Sequence, residues 1–276
     1  MTDRPIIGAQ LTVLDLPRHR DWLFEKNRDL ELPEFCMADI LASPDPFIDM
    51  AKKALDGWTG RLGIHGPFSG FELDTRDKDV RAVVQLRIGQ ALDAAEKLGA
   101  TQMVLQSPYV PWDAHNLDNK PNDRAKRVEA MLETLGPALK RAEAMGLEIV
   151  LENIKDVDPA HRGAVIEAAD SPALKLSVDV GHAYWAHGSA GAPPVDRYIS
   201  AAGENLTHVH LQDADGYADR HWCLGEGTIP FAPIFSALSG LKSNPRLIVE
   251  INEFARVPES VAHLAALGLG QQLQRE

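Results

Sequence analysis

The sequence predicts an α/β protein folded as a single-domain (β/α)8 TIM barrel, and three observations point there. Eight short apolar segments recur along the chain. Segments of helical period stand between most of them, and acids, histidines and amides gather at their C-terminal ends. The length of 276 residues suits this fold, because such a barrel runs to about 250 residues as one domain. Residues 1–276 are therefore read as one domain without an internal repeat or a linker.

The apolar segments cover residues 6–13, 29–35, 61–67, 101–107, 147–153, 174–180, 206–212 and 246–252. Two of the intervening helices are plain. Val80, Val84, Ile88, Ala91, Ala95 and Leu98 form one apolar stripe stopped by Gly99, and Val128, Met131, Leu135, Leu139 and Ala142 form another ahead of Gly146. Each return to a parallel strand needs a crossover, so this alternation demands a parallel sheet, and eight units most simply close on themselves. A doubly wound open sheet is the alternative, but no Gly-rich phosphate loop follows the first strand.

Composition narrows the class. With 45% hydrophobic and 25% charged residues, the chain resembles a soluble globular enzyme, and it lacks the apolar run of about 18 residues that spans a bilayer. The first residues enter a strand without the basic head and apolar core of a signal peptide, which predicts a cytoplasmic protein. Cys36 and Cys223 form no Cys-x-x-Cys pair, so both are read as free thiols. A net charge of -12 opposes attraction to a phosphate backbone and weighs against a nucleic-acid partner. Residues 108–122, with Trp112 and His115, form a stretch of turn formers that suits a substrate lid, an oligomer contact or a plain surface loop. Residues 186–194 read as a flexible segment with His187 exposed, and residues 270–276 as a frayed tail.

The densest chemistry lies in residues 207–231, where His208, His210, Asp213, Asp219 and His221 are five potential metal ligands. His65, Gln106, Glu152, Asp179, His210 and Glu250 each fall at or near the C-terminal end of an apolar segment, where barrels of this kind build their active sites. Spacing by two places Val150 with Glu152, Ser177 with Asp179, His208 with His210 and Ile248 with Glu250 on the inward face. Any one of these alone is explained by a salt bridge at the barrel mouth. Three acids and a histidine converging with few basic neighbours favour a cation.

These residues also carry a family likeness. Glu152 in Leu-Glu-Asn, Asp179 and His182 in Val-Asp-Val-Gly-His, His210 in His-Val-His-Leu-Gln-Asp and Glu250 in Val-Glu-Ile-Asn resemble the xylose-isomerase-like barrel superfamily. His65 in His-Gly-Pro-Phe and the Leu-Gly-Glu-Gly turn at 224–227 extend the resemblance over nearly the whole chain. That group holds sugar isomerases and epimerases, dehydratases and apurinic-site endonucleases. Its epimerase branch implies one divalent ion on Glu152, Asp179, His210 and Glu250, with Glu152 and Glu250 as acid and base on opposite faces of an enediolate. The ion would chelate a carbonyl and its neighbouring hydroxyl and acidify the hydrogen alpha to that carbonyl. Mn2+ is preferred, with Mg2+, Co2+ or Zn2+ as substitutes, because carboxylates with one imidazole suit a six-coordinate ion.

His182 resembles a substrate-hydroxyl contact of that epimerase branch; with it, His65, Gln106 and Arg220 are read as orienting hydroxyls, and Trp185 or Trp222 as either an apolar wall or part of the core. The endonuclease branch implies a further ion on His182, Asp219 and His221, but Gln106 stands where that branch has a histidine, and glutamine is a poor zinc ligand. A lyase or dehydratase acting on an oxidised sugar or cyclitol would begin with the same proton abstraction. The expected partner is thus a small carbohydrate, with isomerase or epimerase first, lyase second and endonuclease third. No membrane partner is expected, and a homo-oligomer is left open.

Overall fold

The computed structural model describes residues 5–270; residues 271–276 of the expected tail lie outside them. Eight parallel strands close a barrel in chain order: β1 (Gly8–Gln10), β2 (Leu30–Leu32), β3 (Leu62–His65), β4 (Gln102–Gln106), β5 (Glu148–Glu152), β6 (Leu174–Asp179), β7 (Leu206–Leu211) and β8 (Arg246–Val249). Closure comes where β8 returns to β1, with Gly8 opposite Ile248 and Ala9 opposite Val249. The helices are α1 (Leu16–Glu25), α2 (Ala38–Ala42), α3 (Asp45–Ala54), α4 (Lys78–Leu98), α5 (Pro111–Asn116), α6 (Asp123–Met145), α7 (Ala160–Ala169), α8 (Val180–Ala190), α9 (Val195–Ala202), α10 (Phe231–Ser239) and α11 (Val257–Ala266). Among the described residues no helix is long and apolar enough to cross a membrane.

The ladders are shorter than the apolar segments because burial outlasts pairing: Leu11 and Val13 stay buried after β1 has ended. α4 buries Val84, Ile88, Ala91 and Ala95 and stops at Gly99, whose φ of 70° suits a residue without a Cβ. Val80, placed in that stripe by its spacing, is exposed in the first turn, where the Asp77 side chain caps the helix by accepting from the Asp79 and Val80 amides. α6 buries all five residues of the second stripe. Residues 108–122 contain the short helix α5, with Trp112 exposed, and residues 186–190 belong to α8, where His187 is exposed. Cys36 and Cys223 are both free.

Outward residues such as Met103, Leu105, Ile149, Leu151, Val178 and Val209 pack under the helices in the core. The inward ones are largely polar, and the barrel holds them by long-range bonds. Asn153, just past β5, ties two strand ends together: its Nδ2 donates to the Asp179 carbonyl (3.0 Å) and its Oδ1 accepts from the Asp179 amide (3.0 Å). Arg162 of α7, 1% exposed, donates from Nη1 to the carbonyls of Leu151 (2.8 Å) and Ser177 (2.5 Å) while Nε faces Asp156 at 3.1 Å. One buried guanidinium therefore braces the two strands that end in Glu152 and Asp179.

Candidate metal centre

Glu152 ends β5, Asp179 ends β6, His210 lies in β7 and Glu250 follows β8 directly. Their ligand atoms all lie within 4.8 Å of one another. Glu152, Asp179 and His210 are buried and Glu250 is partly exposed at the mouth. His210 Nδ1 makes a short contact with Glu152 Oε1 and sits 3.2 Å from Glu250 Oε2. Asp179 caps α8, its Oδ1 accepting from the His182 amide at 2.7 Å, and takes further bonds from Gln212 Nε2 at 3.1 and 3.2 Å. Gly181 allows that approach, since a Cβ there would fall 2.2 Å from the Gln212 side chain.

Crowding sets the charges. Burial opposes ionisation of Glu152, but His210 beside it, with His182 and His65, outweighs burial and lowers its pKa. Burial likewise opposes a charge on His210, and Glu250, Glu31 and Glu152 together raise its pKa well above the ordinary value. Burial pushes Asp179 up to about 6, with Glu152 and Glu250 adding to the rise and His182 opposing it. Among the described residues these three acids form ion pairs with histidines and with no lysine or arginine. Acceptor-only oxygens around one imidazole, with no fixed cation among them, form a donor set that fits a divalent metal.

A cation taking His210 Nδ1 displaces the proton that the carboxylates hold there, so affinity should weaken as pH falls below the raised His210 pKa, by about tenfold per pH unit for one proton. Titrating a divalent cation at several pH values measures this, and a flat profile would remove His210 from the ligand set.

His182, Asp219 and His221 form a second group whose ligand atoms also lie within 4.8 Å. Each imidazole donates its Nδ1–H to a backbone carbonyl, His182 to Asn153 (3.0 Å) and His221 to Glu250 (3.2 Å). Their Nε2 atoms therefore face Asp219, at 3.3 and 3.1 Å. Tying one ring nitrogen to orient the other is how metal-binding histidines are held. His221 has a φ of 48°, which a non-glycine residue adopts only under constraint. Burial opposes the charge on His221, but Asp219 and Glu250 raise its pKa to about 9. Gln212 joins the two groups, donating to both Asp179 and Asp219 (3.2 Å) and accepting from the His221 amide (2.8 Å).

Asp213 departs from the expectation of five ligands in residues 207–231. Its carboxylate accepts from the amides of Ala214 (2.9 Å), Gly225 (2.8 Å) and Ile229 (3.1 Å), so it organises the following turn. Arg220 is engaged at the rim, with Nη2 2.8 Å from Asp215 and its guanidinium over Trp222. Trp185 is half-buried against the core. His65 donates its Nδ1–H to the Gly66 carbonyl (2.9 Å) and turns Nε2 toward Glu152, 3.9 Å away. Gln106 is opposite Glu152 in the sheet and lines a cavity with Phe68, Phe71, Tyr109 and Lys155.

Two buried residues at this centre escape the sequence argument. Glu31 of β2 lies 3.1 Å from His210 Nε2, and Gln10 of β1 donates to both Glu31 (2.9 Å) and Glu250 (2.6 Å). The one local signal is an acid in the apolar triplet Leu-Glu-Leu. His208 lies deeper, its Nδ1–H donating to Gln102 Oε1 at 2.7 Å, and burial with the neighbouring His210 pushes its pKa down to about 3.

Residues 34–267 match the family described as xylose isomerase-like TIM barrel. The chain is 27% identical over 193 residues to MJ1311, an uncharacterized protein of Methanocaldococcus jannaschii, covering 66% of this chain and 61% of that protein. It is 31% identical over 109 residues to the fructoselysine 3-epimerase of Escherichia coli O157:H7, covering 36% of this chain and 37% of the relative. The alignments thus span about three-fifths of the length of the first curated relatives, 61% and 62%. Among solved structures, the TTHB071 protein of Thermus thermophilus, soaked with ZnCl2, superposes with a TM-score of 0.73 at 26% identity, covering 96% of this chain and 99% of that one. A D-tagatose 3-epimerase-like protein shares the fold with a TM-score of 0.73 at 22% identity, covering 96% and 98%. By the extent of the family match and the closed barrel alike, this chain belongs to the xylose isomerase-like TIM barrel family.

Proposed function

We propose that this protein epimerises or isomerises a keto sugar or related polyol at a divalent cation held by Glu152, Asp179, His210 and Glu250. The convergence of those four side chains within 4.8 Å carries this reading, and the local likeness to a fructoselysine 3-epimerase supports the substrate class. The cation, Mn2+ by preference for an oxygen-rich site, supplies Lewis acidity that makes the hydrogen alpha to a substrate carbonyl easier to remove. Glu152 and Glu250 divide the proton work. The one that enters as carboxylate takes the proton from one face of the carbon, and the one that enters as carboxylic acid gives a proton to the opposite face, which inverts that centre; the pair, left with its protonation reversed, resets by proton exchange with solvent. Return to the neighbouring carbon isomerises instead. His65, held in one orientation by its bond to Gly66, offers Nε2 to a substrate hydroxyl, and Gln106 and His182 are further candidates for such contacts. Incubating the protein with a panel of keto sugars in deuterated water, with and without a chelator, tests the proposal. Metal-dependent deuterium uptake into at least one sugar is expected, and uptake into none would overturn it. Release of water with a new enone would instead mark a lyase.

The second histidine group favours a second reading, in which a further cation sits on His182, Asp219 and His221 and the chemistry turns toward phosphodiester cleavage. Elemental analysis of the purified protein should then find two ions per chain, falling to one in His221→Ala. One ion in both would exclude it.

A further inference from the structure

Glu31 is 1% exposed in the middle of β2 and belongs to none of the four-residue ligand set. Its Oε1 accepts from Gln10 Nε2 (2.9 Å) and faces His210 Nε2 (3.1 Å), while the same Gln10 amide donates to Glu250 Oε1 (2.6 Å). One carboxylate thus grips one ligand directly and a second through an amide. The two nitrogens of an imidazole point to different sides of the ring. With Nε2 on Glu31, Nδ1 is the atom left facing Glu152 and Glu250. Once a cation displaces the Nδ1 proton, a carboxylate at Nε2 keeps the remaining proton there and so leaves the lone pair on Nδ1. The ring is also held in plane: His208 packs edge-on at 4.6 Å and His65 stacks at 6.2 Å.

We propose that Glu31 is the positioning residue of the metal centre, fixing the tautomer and plane of His210 and, through Gln10, the placement of Glu250, and so setting cation affinity. This rests on the metal-site reading above. A rival arrangement exists, because Glu31, His208 and His210 themselves bring ligand atoms within 4.8 Å, and buried Glu31 Oε2 and His208 Nε2 face each other at 3.4 Å without a hydrogen bond. A cation there would take His210 through Nε2, the nitrogen now turned to Glu31, and leave a proton on Nδ1 against Glu152. The two arrangements differ in which nitrogen of one ring carries the metal.

Two measurements decide. In the Zn2+-loaded wild-type protein, histidine 15N spectra should show His210 metallated at Nδ1 with a proton on Nε2; metallation at Nε2 overturns the proposal. In Glu31→Gln, an isosteric change that keeps an acceptor oxygen but removes the charge, Co2+ affinity should fall roughly 10–100-fold with an altered Co2+ absorption spectrum. An unchanged affinity and spectrum overturn the positioning role alone. A wild-type protein that takes up no stoichiometric cation overturns the metal reading as well.

Discussion

By the proposed proton transfer, Glu250→Gln is expected to slow deuterium exchange into a keto sugar by roughly 10²–10⁴-fold while leaving the barrel folded. Glu250 is partly exposed at the mouth, with one oxygen bonded by Gln10 and the other 3.2 Å from His210. An amide preserves that shape but cannot accept the substrate proton. Glu152→Gln should cost at least as much in rate and also weaken the cation, because Glu152 is buried against His210 and carries charge that the site needs. Exchange rates measured by NMR, paired with metal content, separate the two effects. Wild-type exchange in Glu250→Gln at full metal loading would remove it from the chemistry.

Arg162→Met should destabilise the fold by about 3–5 kcal/mol, the range for breaking a buried pair and stranding one partner. That corresponds to a fall in Tm of roughly 10 °C for a chain of this size. Burial lowers the Arg162 pKa against the pull of Asp156, and it raises the Asp156 pKa against Arg162, so each depends on the other to stay charged. Without the guanidinium, the Leu151 and Ser177 carbonyls also lose a donor. Those carbonyls adjoin the strand ends carrying Glu152 and Asp179, so cation affinity should fall together with stability. Adding Asp156→Asn should restore part of the loss. The deficit should also narrow on acidification: a carboxyl whose folded pKa exceeds its unfolded one binds more protons when folded, and that favours the folded state as pH falls. Chemical denaturation across pH measures both effects, and a loss below about 1 kcal/mol would show that the pair contributes little.

The barrel and the inward carboxylates and histidine gathered at its mouth were legible from the sequence because both rest on local periodicity. Alternation by two marks which residues of a strand turn inward, and the end of an apolar segment marks the barrel mouth. Glu152, Asp179, His210 and Glu250 satisfy both conditions, whereas the grouping of His182 with Asp219 and His221 came from the family resemblance. Other assignments depended on how turns and rings close. Asp213 and Asp219 are indistinguishable as sequence, yet the amides of Gly225 and Ile229 draw the first into a turn while the second faces two imidazoles. Arg220 pairs with Asp215 at the rim, a contact the spacing of residues does not announce.

The strand-helix alternation and the polar side chains at its C-terminal rim are written locally, since each follows from a residue and its near neighbours. That Glu31 and Gln10 stand behind those side chains is a matter of how the barrel closes. Gln10 reaches Glu250 across a sequence separation of 240 residues, and Glu31 reaches His210 across 179. Those contacts exist because β8 returns to pair with β1, and no short-range pattern encodes who meets whom when a sheet closes.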